Sequence, residues 1–109
     1  MEKINSQKEI ASITGQIIKL INPQKIILFG SSVKNGFQEN GDLDFCVVVK
    51  NNSNIEKLIA KLNFQIKTSV KCDFIVSTEE EMRQFKNNIT KIHSIIHDEG
   101  KTVYKKLPV

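Results

Sequence analysis

The sequence lacks the features that define several classes of protein. Its 109 residues include no tryptophan, one tyrosine and two prolines. No apolar run approaches the roughly 20 residues that a membrane-spanning helix requires, so we expect no membrane span. Residues 1–5 do not show the charged and then apolar pattern of a secretory signal. The lack of a membrane span and of a secretory signal predicts a cytoplasmic protein.

Cysteines and aromatic residues are also scarce. Cys46 and Cys72 are isolated and do not have the spacing of metal ligands. We expect each to be a small buried apolar residue in a reducing compartment. The aromatic residues do not alternate with basic ones along the chain, so the sequence shows no platform on which single-stranded bases would stack.

Hydrophobic content and charge set the remaining limits. Hydrophobic residues make up 39% of the chain, enough for one folded domain, which we place at residues 1–109. The formal net charge is +4. This excess is typical of a lysine-rich solvated surface, but it also suits attraction to a polyphosphate, a nucleic acid or an acidic partner. Charge alone does not choose among these.

The first half of the chain alternates helical and strand patterns. Apolar residues at helical spacing predict a helix over residues 6–21, which the following Asn-Pro ends. Lys25–Phe29 is β-branched and apolar and predicts a short buried strand. A brief helical turn is expected over residues 31–35. Leu43–Val49 has the composition of a central strand covered on both faces.

The second half continues this alternation. Apolar residues between Ile55 and Ile66 predict another helix, and Val70–Val76 predicts a third strand. One continuous helix is expected from a cap at residues 77–78 to Gly100, followed by a short last strand over residues 102–104. The predicted fold class is therefore α/β, with a small mixed β-sheet covered by helices.

Two aspartates, Asp42 and Asp44, stand where the second predicted strand opens. Alternate side chains of a strand point to one face, so these carboxylates project together from Cα atoms roughly 6.5 Å apart. Carboxylates so placed can bracket two hard cations such as Mg²⁺. Buried, unpaired aspartates on an apolar strand would be costly without a cation, which favours a metal site.

A third acid, Asp73, lies isolated in the third predicted strand. If this strand lies beside the second, Asp73 can reach the same metal. It would then ligate that metal and accept the proton of an attacking hydroxyl.

A Gly-Ser pair at the end of the first strand suits a phosphate. Gly30 lets the backbone approach a phosphate closely. The backbone N–H groups and hydroxyls of Ser31 and Ser32 can hold the terminal phosphates, aided by the start of a short helix. Lys34 is a further candidate for contact with a triphosphate.

These motifs resemble those of the minimal nucleotidyltransferases of the DNA polymerase beta superfamily. That family's pattern is a strand, Gly-Ser, D-x-D and then a separate aspartate. The matching residues here are Gly30, Ser31, Asp42, Asp44 and Asp73, with a weaker match of Ile95–Gly100 and Val103-Tyr104 to the family's closing helix and strand.

The resemblance implies a polymerase-beta-like fold and a magnesium-dependent transferase. Asp42 and Asp44 would bind two Mg²⁺ ions, Asp73 would complete the metal site and activate the acceptor, and Gly30-Ser31 would grip the triphosphate. The reaction would move a nucleoside monophosphate, AMP from ATP in our first hypothesis, to an acceptor hydroxyl and release pyrophosphate.

Minimal members of the family often act with a helical HEPN protein, as antitoxins that can adenylylate the toxin on tyrosine. The resemblance therefore implies a HEPN-like partner. Two rival hypotheses are a weakly catalytic module that neutralises its partner by contact, and an enzyme that modifies RNA ends or a small molecule. A homodimer and a contact with nucleic acid both stay open.

Some positions depart from the family pattern. Gly41 stands where a serine commonly precedes the D-x-D motif, and Ser32 replaces an aromatic residue or arginine. Residues 33–35 replace the usual A-R-G. These changes concern the phosphate contacts, so slow or partner-dependent activity is expected.

Three further residues are left without a functional role. His93 and His97 lie four apart on a predicted helix, a spacing that suits metal ligands but is more often a solvated face. Tyr104 is interpreted as a packing residue at the end of a strand rather than as a nucleotide acceptor.

Overall fold

The computed structural model describes residues 6–30, 33, 42–88 and 92–107, which form four strands and four helices. In chain order these are α1 (Ser6–Ile21), β1 (Lys25–Phe29), β2 (Leu43–Val49), α2 (Ile55–Gln65), β3 (Cys72–Thr78), α3 (Glu79–Phe85), α4 (Ile92–Glu99) and β4 (Lys101–Lys105).

The strands form one mixed sheet in the order β3-β2-β1-β4. β1 pairs antiparallel with both β2 and β4, whereas β2 and β3 run parallel. The predicted α/β class with a small mixed sheet is confirmed. The predicted turn over residues 31–35 lies outside the described residues except for Val33.

One face of the sheet, here called the closed face, packs against α1 and α2. Ile13 and Ile17 of α1 and Leu62 of α2 are fully buried there against Phe45 and Val47 of β2. Side chains three or four residues apart on a helix share a face, which is why the isoleucine spacing of α1 places it on the sheet.

The opposite face, here called the open face, packs against α3 and α4. Ile27, Phe29, Cys46 and Val48 form its apolar part with Ile96 of α4. The two faces alternate residue by residue along β1 and β2 because side chains of a strand point alternately to either side. β2 is therefore covered on both faces for most of its length, as predicted.

The ends of the first two helices follow from their local sequence. Asn22 adopts a left-handed conformation with φ of 48° after α1, and Pro23 prevents the helix from continuing. The side chain of Asn54 accepts a hydrogen bond of 3.2 Å from the Lys57 N–H and caps α2.

The third strand is shifted by two residues from the predicted Val70–Val76. The Val70 N–H donates to Thr68 Oγ1 at 3.1 Å, which holds this segment in a turn. β3 begins at Cys72, whose Cα pairs with Leu43 at the start of β2, and it ends at Thr78. The pairing with β2 therefore determines where β3 begins and ends.

The prediction of a single helix from residues 77–78 to Gly100 is wrong. Thr78 and Glu81 form a capping box with bonds of 3.1 and 3.0 Å, but α3 ends at Phe85. The Asn88 N–H then donates to the Phe85 carbonyl at 3.0 Å in a turn, and the next described helix, α4, covers Ile92–Glu99. Asparagine competes with helical hydrogen bonding, so the Asn87-Asn88 pair is a physical reason for the break.

Within the described ranges, no helix is both long and apolar enough to cross a membrane. Cys46 is buried on the open face and Cys72 is half-buried, and both are free thiols. Burial raises the pKa of Cys46 to about 12, so this thiol stays protonated and apolar, as predicted. Cys72 is less buried than predicted.

Candidate functional site

The parallel pairing of β2 with β3 brings Asp44 and Asp73 side by side. Their Cα atoms are direct partners in the register of the two strands. Neighbouring strands lie about 4.8 Å apart, so the two carboxylates leave the sheet close together. The condition set by the sequence, that the third strand lies beside the second, is met.

The two paired aspartates belong to the open face. Asp44 alternates with Leu43 and Phe45, which are buried in the closed-face core. Asp73 likewise lies between Cys72 and Phe74, which pack against that core. The strand alternation therefore directs both acids to the face opposite α1 and α2.

Asp42 stands one residue before β2, two positions from Asp44. Its carboxylate is half exposed and lies 3.9 Å from the Lys71 ammonium, which is itself 72% exposed. An exposed ion pair of this length contributes little to stability. The expectation of buried, unpaired aspartates is therefore wrong for Asp42, and the third acid, Asp73, is exposed as well.

Asp44 alone is half-buried, and it has the clearest electrostatic signature of the group. Burial raises the pKa of its carboxyl group first, and the charges of Asp73 and Asp42 raise it further. The charge of Lys71 acts in the opposite direction. The negative charges of Asp42 and Asp73 therefore act on Asp44, and a nearby cation would relieve this repulsion.

Lys71 was not singled out from the sequence. It lies two residues before Asp73, so the same alternation that identified the aspartates would have placed it beside them. Its opposing effect on the pKa of Asp44 makes it part of the site's electrostatics.

Gly30 closes β1 directly against Asp44. Its φ is +85°, a conformation that residues with a side chain rarely adopt. A Cβ at this position would overlap the Oδ2 atom of Asp44 and lie 3.2 Å from its carboxyl carbon. Gly30 is therefore required for the approach of backbone and carboxylate. Ser31, Ser32, Lys34 and Gly41 lie outside the described residues.

The donor chemistry of the three aspartates suits a hard divalent cation, which prefers carboxylate oxygens. Among the described residues, however, no group of three or more histidine, cysteine or acidic side chains converges closely enough to hold a metal ion. Metal binding by the three aspartates would therefore require their carboxylates to come closer together than they lie in the structure.

The two histidines of α4 have different environments. His93 Nε2 and Ser77 Oγ are 3.0 Å apart, and the His93 ring lies against Phe85 with centroids 5.4 Å apart. His97 is exposed. His93 is thus a packed residue that bonds to β3 and not part of a solvated face.

Tyr104, on β4, is half-buried and packs against the closed-face core. This contact supports the packing role expected for it.

Comparisons with known proteins identify the family and the fold of this chain. A family model described as "Nucleotidyltransferase domain" matches residues 8–97. The chain therefore belongs to the nucleotidyltransferase domain family of the polymerase beta superfamily. A search of curated protein sequences finds no significant match.

Solved structures share the fold at low sequence identity. A proposed nucleotidyltransferase from Sulfolobus solfataricus has a TM-score of 0.65 and 16% identity, with 93% of this chain and 81% of that chain covered. The spectinomycin adenyltransferase AAD(9) from Enterococcus faecialis, with ATP and spectinomycin, has a TM-score of 0.59 and 19% identity. The match covers 95% of this chain and 58% of that one.

A toxin-antitoxin structure with AMP-PNP has a TM-score of 0.49 and 17% identity, covering 94% of this chain and 75% of that chain. At these identities the first two likenesses establish the polymerase-beta-like nucleotidyltransferase fold and nothing finer.

Proposed function

We propose that this chain is a magnesium-dependent nucleotidyltransferase that moves a nucleoside monophosphate, AMP from ATP in the first instance, to an acceptor hydroxyl. The observation that carries the proposal is the parallel β2–β3 pairing. This pairing sets Asp73 beside Asp44, which itself lies two positions after Asp42. The chain that carries these three aspartates belongs to a family of nucleotidyltransferases.

Asp42, Asp44 and Asp73 are the residues that would hold the metal. Bound Mg²⁺ would supply charge stabilisation for the phosphoryl oxygens and the leaving pyrophosphate. Asp44 is the inner member of the set because it is the least exposed of the three and its pKa is raised by both neighbours. Lys71 would leave Asp42 when a cation replaces its charge.

We propose that Asp73 acts on the acceptor. It lies on the edge strand β3 and is exposed, so an incoming hydroxyl can approach it from solvent. Its carboxylate would accept the hydroxyl proton as the acceptor oxygen attacks the α-phosphorus and pyrophosphate leaves. The rate would then come from positioning and charge stabilisation.

The triphosphate would be gripped where β1 ends. Gly30 leaves no side chain between the backbone and the Asp44 carboxylate. Ser31, Ser32 and Lys34 follow it in sequence, and we propose that their donors contact the phosphates. This grip would hold the triphosphate beside the metal ligands.

As the biological role, we propose the antitoxin of a HEPN-type toxin-antitoxin pair, with a hydroxyl of the partner as acceptor. Support comes from the resemblance of Gly30, Ser31, Asp42, Asp44 and Asp73 to the pattern of minimal nucleotidyltransferases. A homodimer stays a prediction.

A second candidate is transfer to a small molecule. It is favoured by the fold shared with a spectinomycin adenyltransferase, although the present chain spans only 58% of that protein. The two candidates differ in the acceptor and use the same aspartates.

Incubation of the protein with α-labelled ATP, Mg²⁺ and its co-purified partner tests the reaction. We expect label on the partner, detected by mass analysis as an added nucleotide. Asp44→Asn should abolish labelling, whereas Asp98→Asn, an exposed acid on α4, should not. Absence of labelling, with undiminished neutralisation by Asp42→Asn and Asp44→Asn, would show a contact-only module.

Ligand binding can be tested without turnover. Mg²⁺ with a non-hydrolysable triphosphate should raise the melting temperature by mass action on the folded state. If Asp44→Asn shows the same rise as the unmodified chain, the ligand binds elsewhere.

A further inference from the structure

A basic pocket lies at the opposite end of the sheet from the three aspartates. It has a volume of about 420 Å³, and its lining includes Lys50, Lys57 and Lys61. No acidic residue of the described chain lines it. Lys50 follows the last residue of β2, six positions after Asp44, which is about 20 Å along an extended strand. A ligand here would therefore be separate from the metal site.

The three lysines are not neutralised by the fold. Among the residues that the structure describes, none of them forms an ion pair with a carboxylate. Lys61 is half-buried, and its ammonium lies 3.5 Å from the Leu20 carbonyl at the end of α1, which holds the charge in the pocket. Three cations gathered without a counter-charge attract an anion.

An exposed aromatic ring continues the same surface. Phe64 is 88% exposed. It lies three residues after Lys61 and seven after Lys57 on α2, and residues so spaced share one face of a helix. The buried residues of α2 lie on the opposite side, where Leu62 enters the closed-face core. The helix thus brings together basic and aromatic residues that do not alternate in the sequence.

We propose that this surface, formed by Lys50, Lys57, Lys61 and Phe64, binds single-stranded nucleic acid. The lysines contact successive phosphates, and the Phe64 ring stacks on a base. Each nucleotide supplies both an anion and a flat aromatic face, which matches the two chemistries that α2 presents side by side. An acidic protein would need a separate side chain to cover the Phe64 ring, whereas a nucleotide supplies both groups in one unit.

This proposal does not rest on the transfer reaction. The nucleic acid contact would be retained in a chain whose metal site is destroyed. Asp44→Asn should therefore bind an oligonucleotide as well as the unmodified chain does, so failure of either proposal leaves the other standing.

Fluorescence anisotropy with a labelled single strand of about 12 nucleotides tests the surface. Phe64→Ala should weaken binding about tenfold, because stacking on one base is lost. Leu107→Ala is the matched control, since Leu107 is also a large apolar residue that is 80% exposed. Equal affinities for the two variants would overturn the stacking role.

The salt dependence tests the lysines. Lys50→Ala with Lys57→Ala should lower the slope of log affinity against log salt by about 1.4, because about 0.7 is lost per phosphate contact. The charge-matched pair Lys86→Ala with Lys105→Ala, exposed lysines on other elements, should leave the slope unchanged. Lys61 is kept intact because its contact with α1 could affect folding.

Competition identifies the class of ligand. Unlabelled single strands should displace the probe, whereas polyglutamate of equal charge should not. Displacement by polyglutamate at the same concentration, or the absence of any oligonucleotide binding at low salt, would overturn the proposal in favour of an acidic protein partner or a solvated surface.

Discussion

The closed and open faces of the sheet are built by the same strands but have opposite compositions. The closed face is apolar wherever α1 and α2 cover it, with Phe45 and Leu62 fully buried. The open face combines an apolar patch with Asp44, Asp73 and the Ser77–His93 pair. One register of alternating residues thus lets a small chain keep a stable core directly behind a charged site. Substitutions on the two faces should therefore have different consequences.

The largest effect on stability should come from the closed face. Phe45→Ala removes a fully buried ring that stacks on Phe74 at a centroid distance of 5.9 Å. We expect a loss of about 3–5 kcal/mol in the free energy of unfolding, measured by urea denaturation. The matched change Phe64→Ala, at a ring that is 88% exposed, should alter it by no more than about 0.5 kcal/mol. A similar loss from both would contradict the assignment of the core.

The largest effect on activity should come from the open face. Asp44→Asn keeps the volume of the side chain but removes the charge of the least exposed of the three proposed metal ligands. We expect at least about a 100-fold fall in the rate of nucleotide transfer, with no loss of stability. The rate of Asp73→Asn should fall comparably, because this change also removes the proposed proton acceptor. If Asp98→Asn reduced the rate as strongly, the effect could not be assigned to the site.

Much of the fold was predictable because local sequence signals mark where its helices and strands begin and end. The limits of β1 and β2 agree with the prediction, since Pro23 and Gly30 flank the first and the change from polar to apolar residues opens the second. The break between α3 and α4 was missed because the apolar periodicity from Phe85 to Ile96 continues across Asn87-Asn88. Local competition by asparagine outweighed periodicity there.

The site was predictable only in part. The spacing of Asp42 and Asp44 belongs to one segment, but the pairing of Asp44 with Asp73 joins strands that are distant in sequence. Such pairing is a tertiary property, so the sequence left it conditional. The burial expected for Asp42 was wrong, because this residue lies before β2 and is exposed. Asp73 is open to solvent on the edge strand β3, which the sequence alone did not indicate.

An intermediate effect is expected where β1 meets the open face. Gly30→Ala forces a residue with a side chain to φ of +85° and places its Cβ against Asp44 Oδ2. We expect a loss of about 1–2 kcal/mol from the backbone conformation, together with reduced nucleotide binding. Chemical denaturation measures the first and a thermal shift with Mg²⁺ and a triphosphate the second.

Gly15→Ala is the matched control for this change. Gly15 lies within α1, and a Cβ there would meet nothing within 4 Å. Alanine is the better helix former by about 1 kcal/mol, so this variant should be slightly more stable and should bind nucleotide normally. Equal behaviour of the two glycine variants would mean that the approach of Gly30 to Asp44 has no role.

The smallest effect should be a pH-dependent one at Asp44. Its pKa is raised in the folded state by burial and by the charges of Asp73 and Asp42. At a pH between the pKa of the unfolded chain and that of the folded chain, the folded chain therefore retains a proton that the unfolded chain has released. Ionised Asp44 therefore destabilises the fold above its folded-state pKa, and this penalty is relieved as the pH falls through that value. Without metal, Asp44→Asn should melt a few degrees higher than the unmodified chain at neutral pH. The difference should shrink toward about pH 4.

Added Mg²⁺ sharpens this last comparison, because the cation offsets the repulsion that Asp44→Asn removes. At neutral pH, Mg²⁺ should raise the melting temperature of the unmodified chain more than that of Asp44→Asn, so the gap between them narrows. Asp98→Asn should follow the unmodified chain at every pH and metal concentration. If Asp44→Asn melted at a lower temperature than the unmodified chain at neutral pH without metal, the Asp44 carboxylate would stabilise the fold. The acidic residues of the open face would then have a structural role, and the proposal of a cation site there would be contradicted.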